Sequence, residues 1–156
     1  MADLHEIRLA SHADLLQIES IELATNPTPW AKQALITSLD DPNQCYVLTR
    51  SNSVEAYLIG VVTIGEASLL HIVVSKTNQG QGLASLLLTF WLEYLRDLKT
   101  VDECWLEVRR SNTTAQLLYQ KFGFKPVSVR KGYYVNRSVS GNSSREDALI
   151  YRFIVN

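Results

Sequence analysis

The chain has 156 residues, 46% hydrophobic and 20% charged, with a formal net charge of −1. This length and composition suit one domain, residues 1–156, with a real apolar core; without a basic stripe, nucleic acid is a poor direct ligand. No apolar run approaches the ~20 residues that cross a membrane, and "MADLHEIRLASHAD" lacks the basic start and apolar block of a secretory signal, so a cytoplasmic protein is expected.

"HEIRLA", His5 to Ala10, alternates as a short strand does. Ser11 or Asp14 can cap the helix that follows, with Leu15, Leu16, Ile18, Ile21 and Leu23 as its apolar side. Asn26-Pro27-Thr28-Pro29 ends it, and a second helix is predicted over Trp30 to Leu39. After a turn over Asp40 to Gln44, "CYVLTR" and "AYLIGVVTI" read as strands joined by "SNSV", and "SLLHIVVS" as a third. The long helix from Leu83 has apolar residues in steps of three and four through Leu98. "CWLEVR" is a strand, and Asn112 to Phe122 a helix with Gly123 suited to its C-terminal cap. "KPVSVRKGYYV" and "DALIYRFIV" are strands, separated by a polar loop over Asn136 to Arg145. The order β-α-α-β-β-β-α-β-α-β-β predicts a mixed sheet covered by helices, of α/β or α+β class.

Cys45 and Cys104 have no partner motif, and His5, His12 and His71 are scattered, so no metal site is expected. A disulfide between the two cysteines is open at this level, with reduced thiols the expectation.

Two stretches carry chemistry. In "TNQGQGLAS", Thr77 to Ser85, glycines join a strand to a helix. Such a junction turns backbone N–H groups toward the positive end of the helix dipole, a ready anion site. It lacks the lysine of a P-loop. It misses the third glycine of a dinucleotide fingerprint, where Ser85 stands. Gln79, Gly82 and Ala84 do fit Gln/Arg-x-x-Gly-x-Gly/Ala. A plain turn into a helix is the competing reading.

The second stretch is "CWLEVRRSNTTAQLLYQKFGF", Cys104 to Phe124. Strand alternation sends Cys104, Leu106 and Val108 to one face and Trp105, Glu107 and Arg109 to the other. A carboxylate in the apolar setting of "WLEV" would have a raised pKa and suit a general base. A solvated or arginine-paired Glu107 is the alternative. Tyr119 reads as a proton donor or as a packed ring, and Cys104 as a nucleophile only if a base reaches it.

"LEVRRSNTTAQLLYQKFGF" resembles the C-terminal motif of the GNAT acetyltransferases, and "LLHIVVSKTNQGQGLASLLL" resembles their acetyl-CoA-binding motif. "NPTPWAKQAL", "RKGYYV" and "REDALIY" are similar to the RimI group, which acetylates the N-terminal amine of a small-subunit ribosomal protein. The resemblance runs from about Ile18 to Tyr151. It implies the GNAT fold, with about six to seven strands and about four helices. It implies acetyl-CoA as donor, CoA as product, and a protein N-terminus as acceptor. A monomer is expected, with no metal and no membrane or nucleic-acid partner.

By the same resemblance Glu107 is the base and Tyr119 the acid. Gln79, Gly80, Gln81, Gly82, Leu83, Ala84 and Ser85 hold the CoA pyrophosphate. The strand Leu70 to Val74 pairs with the pantetheine arm through Ile72, Val73 and Val74, with the N–H of Val73 or Val74 on the thioester oxygen, and Asn112 contacts that arm. Pro29, Trp30, Tyr133 and Tyr134 wall the peptide site. A lysine or small-amine acceptor and a catalytically silent CoA sensor are the alternatives. His71 stands where the group commonly has asparagine, as a helper base or, preferentially, a packed residue.

Overall fold

The computed structural model describes residues 3–42 and 44–156. Its elements follow the expected order: β1 (Glu6–Leu9), α1 (Leu15–Thr25), α2 (Lys32–Asp40), β2 (Cys45–Arg50), β3 (Ser53–Val62), β4 (Gly65–Val74), α3 (Leu83–Leu98), β5 (Val101–Arg109), α4 (Thr113–Lys121), β6 (Lys125–Arg137) and β7 (Ser143–Ile154). The strands form one sheet in the order β1-β2-β3-β4-β5-β7-β6. Only β4 and β5 run parallel, because α3 carries the chain back across the sheet between them. The result is the expected mixed α/β architecture.

Each sheet face has its own apolar cluster. Leu58, Leu87, Trp91, Leu106 and Tyr119 belong to the one beneath α3 and α4. Ile18, Ile21, Leu35, Tyr57 and Ile59 belong to the one beneath α1 and α2. Strands β2 and β3 are covered on both sides, so they read as nearly continuous apolar runs. Cys45 and Cys104 are free thiols in opposite clusters, so the sheet lies between them. Burial pushes the Cys104 thiol up to about 11 and the Cys45 thiol up to about 12.

Several boundaries differ from expectation for identifiable reasons. The second helix starts at Lys32 rather than Trp30, because Ala31 is extended and the Trp30 N–H is taken by a carboxylate on α1. Leu16 and Leu23 of α1 face solvent, and Glu22 takes a core position beside Ile18 and Ile21. The β2–β3 turn is only Ser51-Asn52, both at positive φ, as a two-residue hairpin requires. Half of the loop expected over Asn136 to Arg145 is strand: Asn136 pairs with Ser144 and Arg137 with Ser143, which leaves residues 138–142 as the turn. The turn expected over Asp40 to Gln44 includes Asn43, which lies outside the described residues.

Gly60 makes the tightest approach in the sheet. A Cβ there would lie 2.5 Å from the indole of Trp91, a ring with no exposed surface. Gly60→Ala is therefore expected to destabilise the protein by about 1–3 kcal/mol, through overpacking. Chemical denaturation at constant m-value checks this.

Candidate active site

Strands β4 and β5 are paired only as far as Leu69 and Leu106, although β4 continues to Val74 and β5 to Arg109. Beyond that point β4 stays with β3 and β5 stays with β7, so the sheet parts. A bulge accompanies the parting. Gly60 opposes Leu69 and Ile59 opposes His71, which leaves Leu70 as the extra residue. Without the bulge, Leu69 and His71 would share a face. With it, Leu69 joins the cluster under α3, and His71 turns to the α1 side.

The parting opens a cleft of about 1280 Å³. On the α3 side its rim is the glycine junction. Gly80 and Gly82 both have positive φ, +77° and +79°, and a Cβ at either would meet nothing within 4 Å. Backbone conformation, not crowding by the chain itself, is what demands glycine there. No side chain caps α3. The N–H groups of its first turn thus lack intrahelical partners at the cleft rim, where Gln79, Gly82, Leu83, Ala84 and Ser85 stand. Gln81 is the one expected cofactor residue that does not line the cleft.

Ile72, Val73 and Val74 form the β4 wall, and their β5-facing edge has no ladder beyond Leu69. Asn112 caps α4 by accepting a hydrogen bond from the Ala115 N–H at 3.1 Å, and it also lines the cleft. Tyr119 projects from α4, 6% exposed, with its ring against Phe124. Burial pushes its phenol well above the usual range, so it stays protonated at neutral pH.

Glu107 comes from the opposite sheet face, as alternation predicts, and lines the same cleft. Its surroundings are not the apolar ones first expected. The carboxylate is one-third exposed and accepts a hydrogen bond from Arg130 Nη1 at 2.9 Å. Pro29, Trp30, Tyr133 and Tyr134 all line this side. Arg109 ties it together. Its guanidinium donates to Thr28 Oγ1 at 2.6 Å, Asn136 Oδ1 at 2.9 Å and Glu146 Oε1 at 3.0 Å, and stacks on Tyr134 at 4.3 Å. Four segments distant in the chain are thereby joined around one mouth.

Sequence reasoning missed Glu22. This carboxylate is fully buried. Oε1 accepts from Asn26 Nδ2 at 2.7 Å and the Trp30 N–H at 3.1 Å; Oε2 accepts from the Tyr57 hydroxyl and bonds His71 Nε2 at 2.6 Å. Burial, the largest influence, pushes the carboxyl up. The bond and charge of His71, with Tyr57 and Trp30, outweigh it and hold Glu22 at about 2. His71 stacks on Trp30 with ring centroids 5.0 Å apart. A signal was present in the sequence: Ile18, Ile21, Glu22 and Thr25 share one helical face, so a carboxylate sat on the core side of α1.

Residues 6–124 match the family described as "Acetyltransferase (GNAT) family". The chain belongs to the GNAT acetyltransferases. The [ribosomal protein bS18]-alanine N-acetyltransferase of Haemophilus ducreyi is 34% identical over 137 residues, covering 88% of this chain and 91% of the relative. The Escherichia coli K12 enzyme of the same name is 32% identical over 137 residues, 88% of each chain. The crystal structure of the ribosomal-protein-S18-alanine N-acetyltransferase from Escherichia coli superposes with a TM-score of 0.87 at 29% identity, covering 98% of this chain and 95% of that one. The protein is an N-acetyltransferase, and acetyl-CoA is the donor that the GNAT family uses. The GNAT sheet with its parted β4 and β5 explains why the cleft passes between the two faces. No helix among the described residues is long and apolar enough to cross a membrane, and no cluster of potential metal ligands occurs among them.

Proposed function

We propose that the protein transfers the acetyl group of acetyl-CoA to the N-terminal α-amine of a small-subunit ribosomal protein of the bS18 kind. One observation carries the reading. Tyr119 and Glu107 reach a single cleft from opposite sheet faces, where the parted strands leave a passage. Donor and acceptor can then enter from opposite sides and meet between an acid and a base. The names of the relatives favour this acceptor.

The chain's own groups fit the donor. The N–H groups of the Gln79–Ser85 turn suit a pyrophosphate, the free edge of β4 suits an extended amide-bearing arm, and the N–H of Val73 or Val74 suits a developing oxyanion. Glu107 accepts a proton from the attacking amine, and Arg130 holds its carboxylate in place. Tyr119 gives its proton to the departing thiolate. Placing the partners side by side lowers the barrier at least as much as these proton transfers do. Cys104 takes no part as a nucleophile in this reading, which its burial and its absence from the cleft lining support.

Incubation with acetyl-CoA and a panel of N-terminal peptides, read by mass spectrometry, tests the assignment. The bS18 N-terminal peptide is expected to gain one acetyl group on its α-amine. Acetylation of only a lysine side chain or a small amine would overturn the acceptor assignment. Acetyl-CoA binding with no transfer to any amine would overturn catalysis.

A further inference from the structure

The cleft wall holds a second candidate proton acceptor, and an ammonium must shed two protons on its way to an amide. An α-amine has a pKa near ~8, so at neutral pH it arrives mostly as an ammonium. It must lose one proton before its lone pair can attack, and another after the new bond forms. Glu107 accounts for one of these.

His71 lies on the same sheet face and in the same cleft. Its side chain is 17% exposed. Three contacts define the ring: Nε2 faces the Glu22 carboxylate, one face lies on Trp30, and Tyr57 meets it edge-on. A carboxylate beside Nε2 places the ring proton there, which leaves Nδ1 with the free lone pair. Nδ1 has no hydrogen-bond partner among the described residues. The bulge at Leu70 is what turns this ring toward the acceptor side. Packing alone does not require a buried carboxylate with all four of its hydrogen-bond positions filled behind the ring. The same arrangement of carboxylate, imidazole and free nitrogen serves base catalysis in other folds.

We propose that His71, oriented by Glu22, takes the first of the two protons at Nδ1, directly or through one water, and that Glu107 takes the second. This inference rests on the reading of the protein as an amine acetyltransferase. The ammonium gives one proton to Nδ1, leaving a neutral amine and an imidazolium facing the Glu22 carboxylate. The amine nitrogen then bonds the acetyl carbonyl carbon, its surplus proton passes to Glu107, and the carbon–sulfur bond breaks as Tyr119 protonates the thiolate. One collected proton restores Tyr119, and the other leaves to solvent. Glu22 and Tyr57 are the ionisable groups packed on the ring from α1 and β3. Cys45 lies behind Tyr57 on β2, Glu107 and Arg109 face the same cleft from β5, and Arg130 of β6 is bonded to Glu107. Glu22 touches no reactant and acts as a positioning residue.

The test is a pH series of kcat/KM on His71→Asn, Glu22→Gln and Glu107→Gln, with acetyl-CoA affinity as the check on folding. Without His71 the site must wait for amine already neutral in solution, which is about one-tenth of the total near pH 7. His71→Asn is thus expected to lose about tenfold near pH 7 and to recover to within about twofold near pH 9, where most of the amine is neutral. Glu22→Gln should show a smaller loss with the same recovery. Glu107→Gln should stay impaired at both, because the second proton must still leave. A His71→Asn loss that is equal at both pH values, or absent, overturns the proposal. Should that variant fail to bind acetyl-CoA, the ¹⁵N spectrum of wild-type His71 decides: a proton on Nδ1 of the neutral ring overturns it, and one on Nε2 upholds it. A wild type inert on the bS18 peptide but active on another amine sinks only the ribosomal-protein assignment, and the series then runs on that amine. A wild type inert on every amine overturns both.

Discussion

Tyr119→Phe is expected to lower kcat by about 10²–10⁴-fold while acetyl-CoA affinity holds within about twofold, and Glu107→Gln to do the same. The tyrosine ring is packed at 6% exposure against Phe124, so phenylalanine fills the same space. No hydrogen bond to another described side chain contributes to holding that phenol, so its loss orphans no partner there. What the change removes is the proton, which burial keeps on the phenol at neutral pH. The glutamine at 107 can still accept from Arg130, so the arm that orients it survives while its basicity does not. Single-turnover kinetics with saturating acetyl-CoA, alongside calorimetry, separates chemistry from binding. Full activity in either variant would remove that residue from the mechanism.

Glu22→Ala is expected to cost about 3–5 kcal/mol of folding stability, because several buried donors lose one shared carboxylate acceptor. The Asn26 amide, the Trp30 N–H, the Tyr57 hydroxyl and His71 would all lose their common acceptor inside the protein. Two of these donors hold the Asn26–Trp30 connection, so loss of acceptor binding should accompany loss of stability. The pH dependence has a definite sign. Glu22 is held at about 2, below its ordinary 4.5. Its contribution is therefore complete above about 4.5 and fades as pH falls toward about 2. Denaturant midpoints of wild type and Glu22→Gln should differ most near neutrality and converge in acid. A gap independent of pH would mean that charge plays no part.

Much of the fold was legible because its signals are local. The steps of three and four from Leu83 to Leu98 give α3, and alternation puts Cys104 and Glu107 on opposite sheet faces. The β6–β7 hairpin was read too short, since "NRSVSGNSS" is polar and strand-poor in composition. Pairing such as Asn136 with Ser144 holds it as ladder nonetheless, and Arg109 anchors it through Asn136 and Glu146. Cross-strand partners can impose extension that local preference does not.

The chain alone was enough to define the order of elements, the glycine junction and the two stretches that carry Glu107 and Tyr119, because helix and strand periods and turn chemistry are properties of neighbours in sequence. Three features came only from the tertiary structure. The bulge at Leu70 reverses which face His71 occupies, Arg130 meets Glu107 across 23 positions, and Glu22 meets His71 across 49. Each depends on where distant segments are brought together by the sheet, and no local period records that distance.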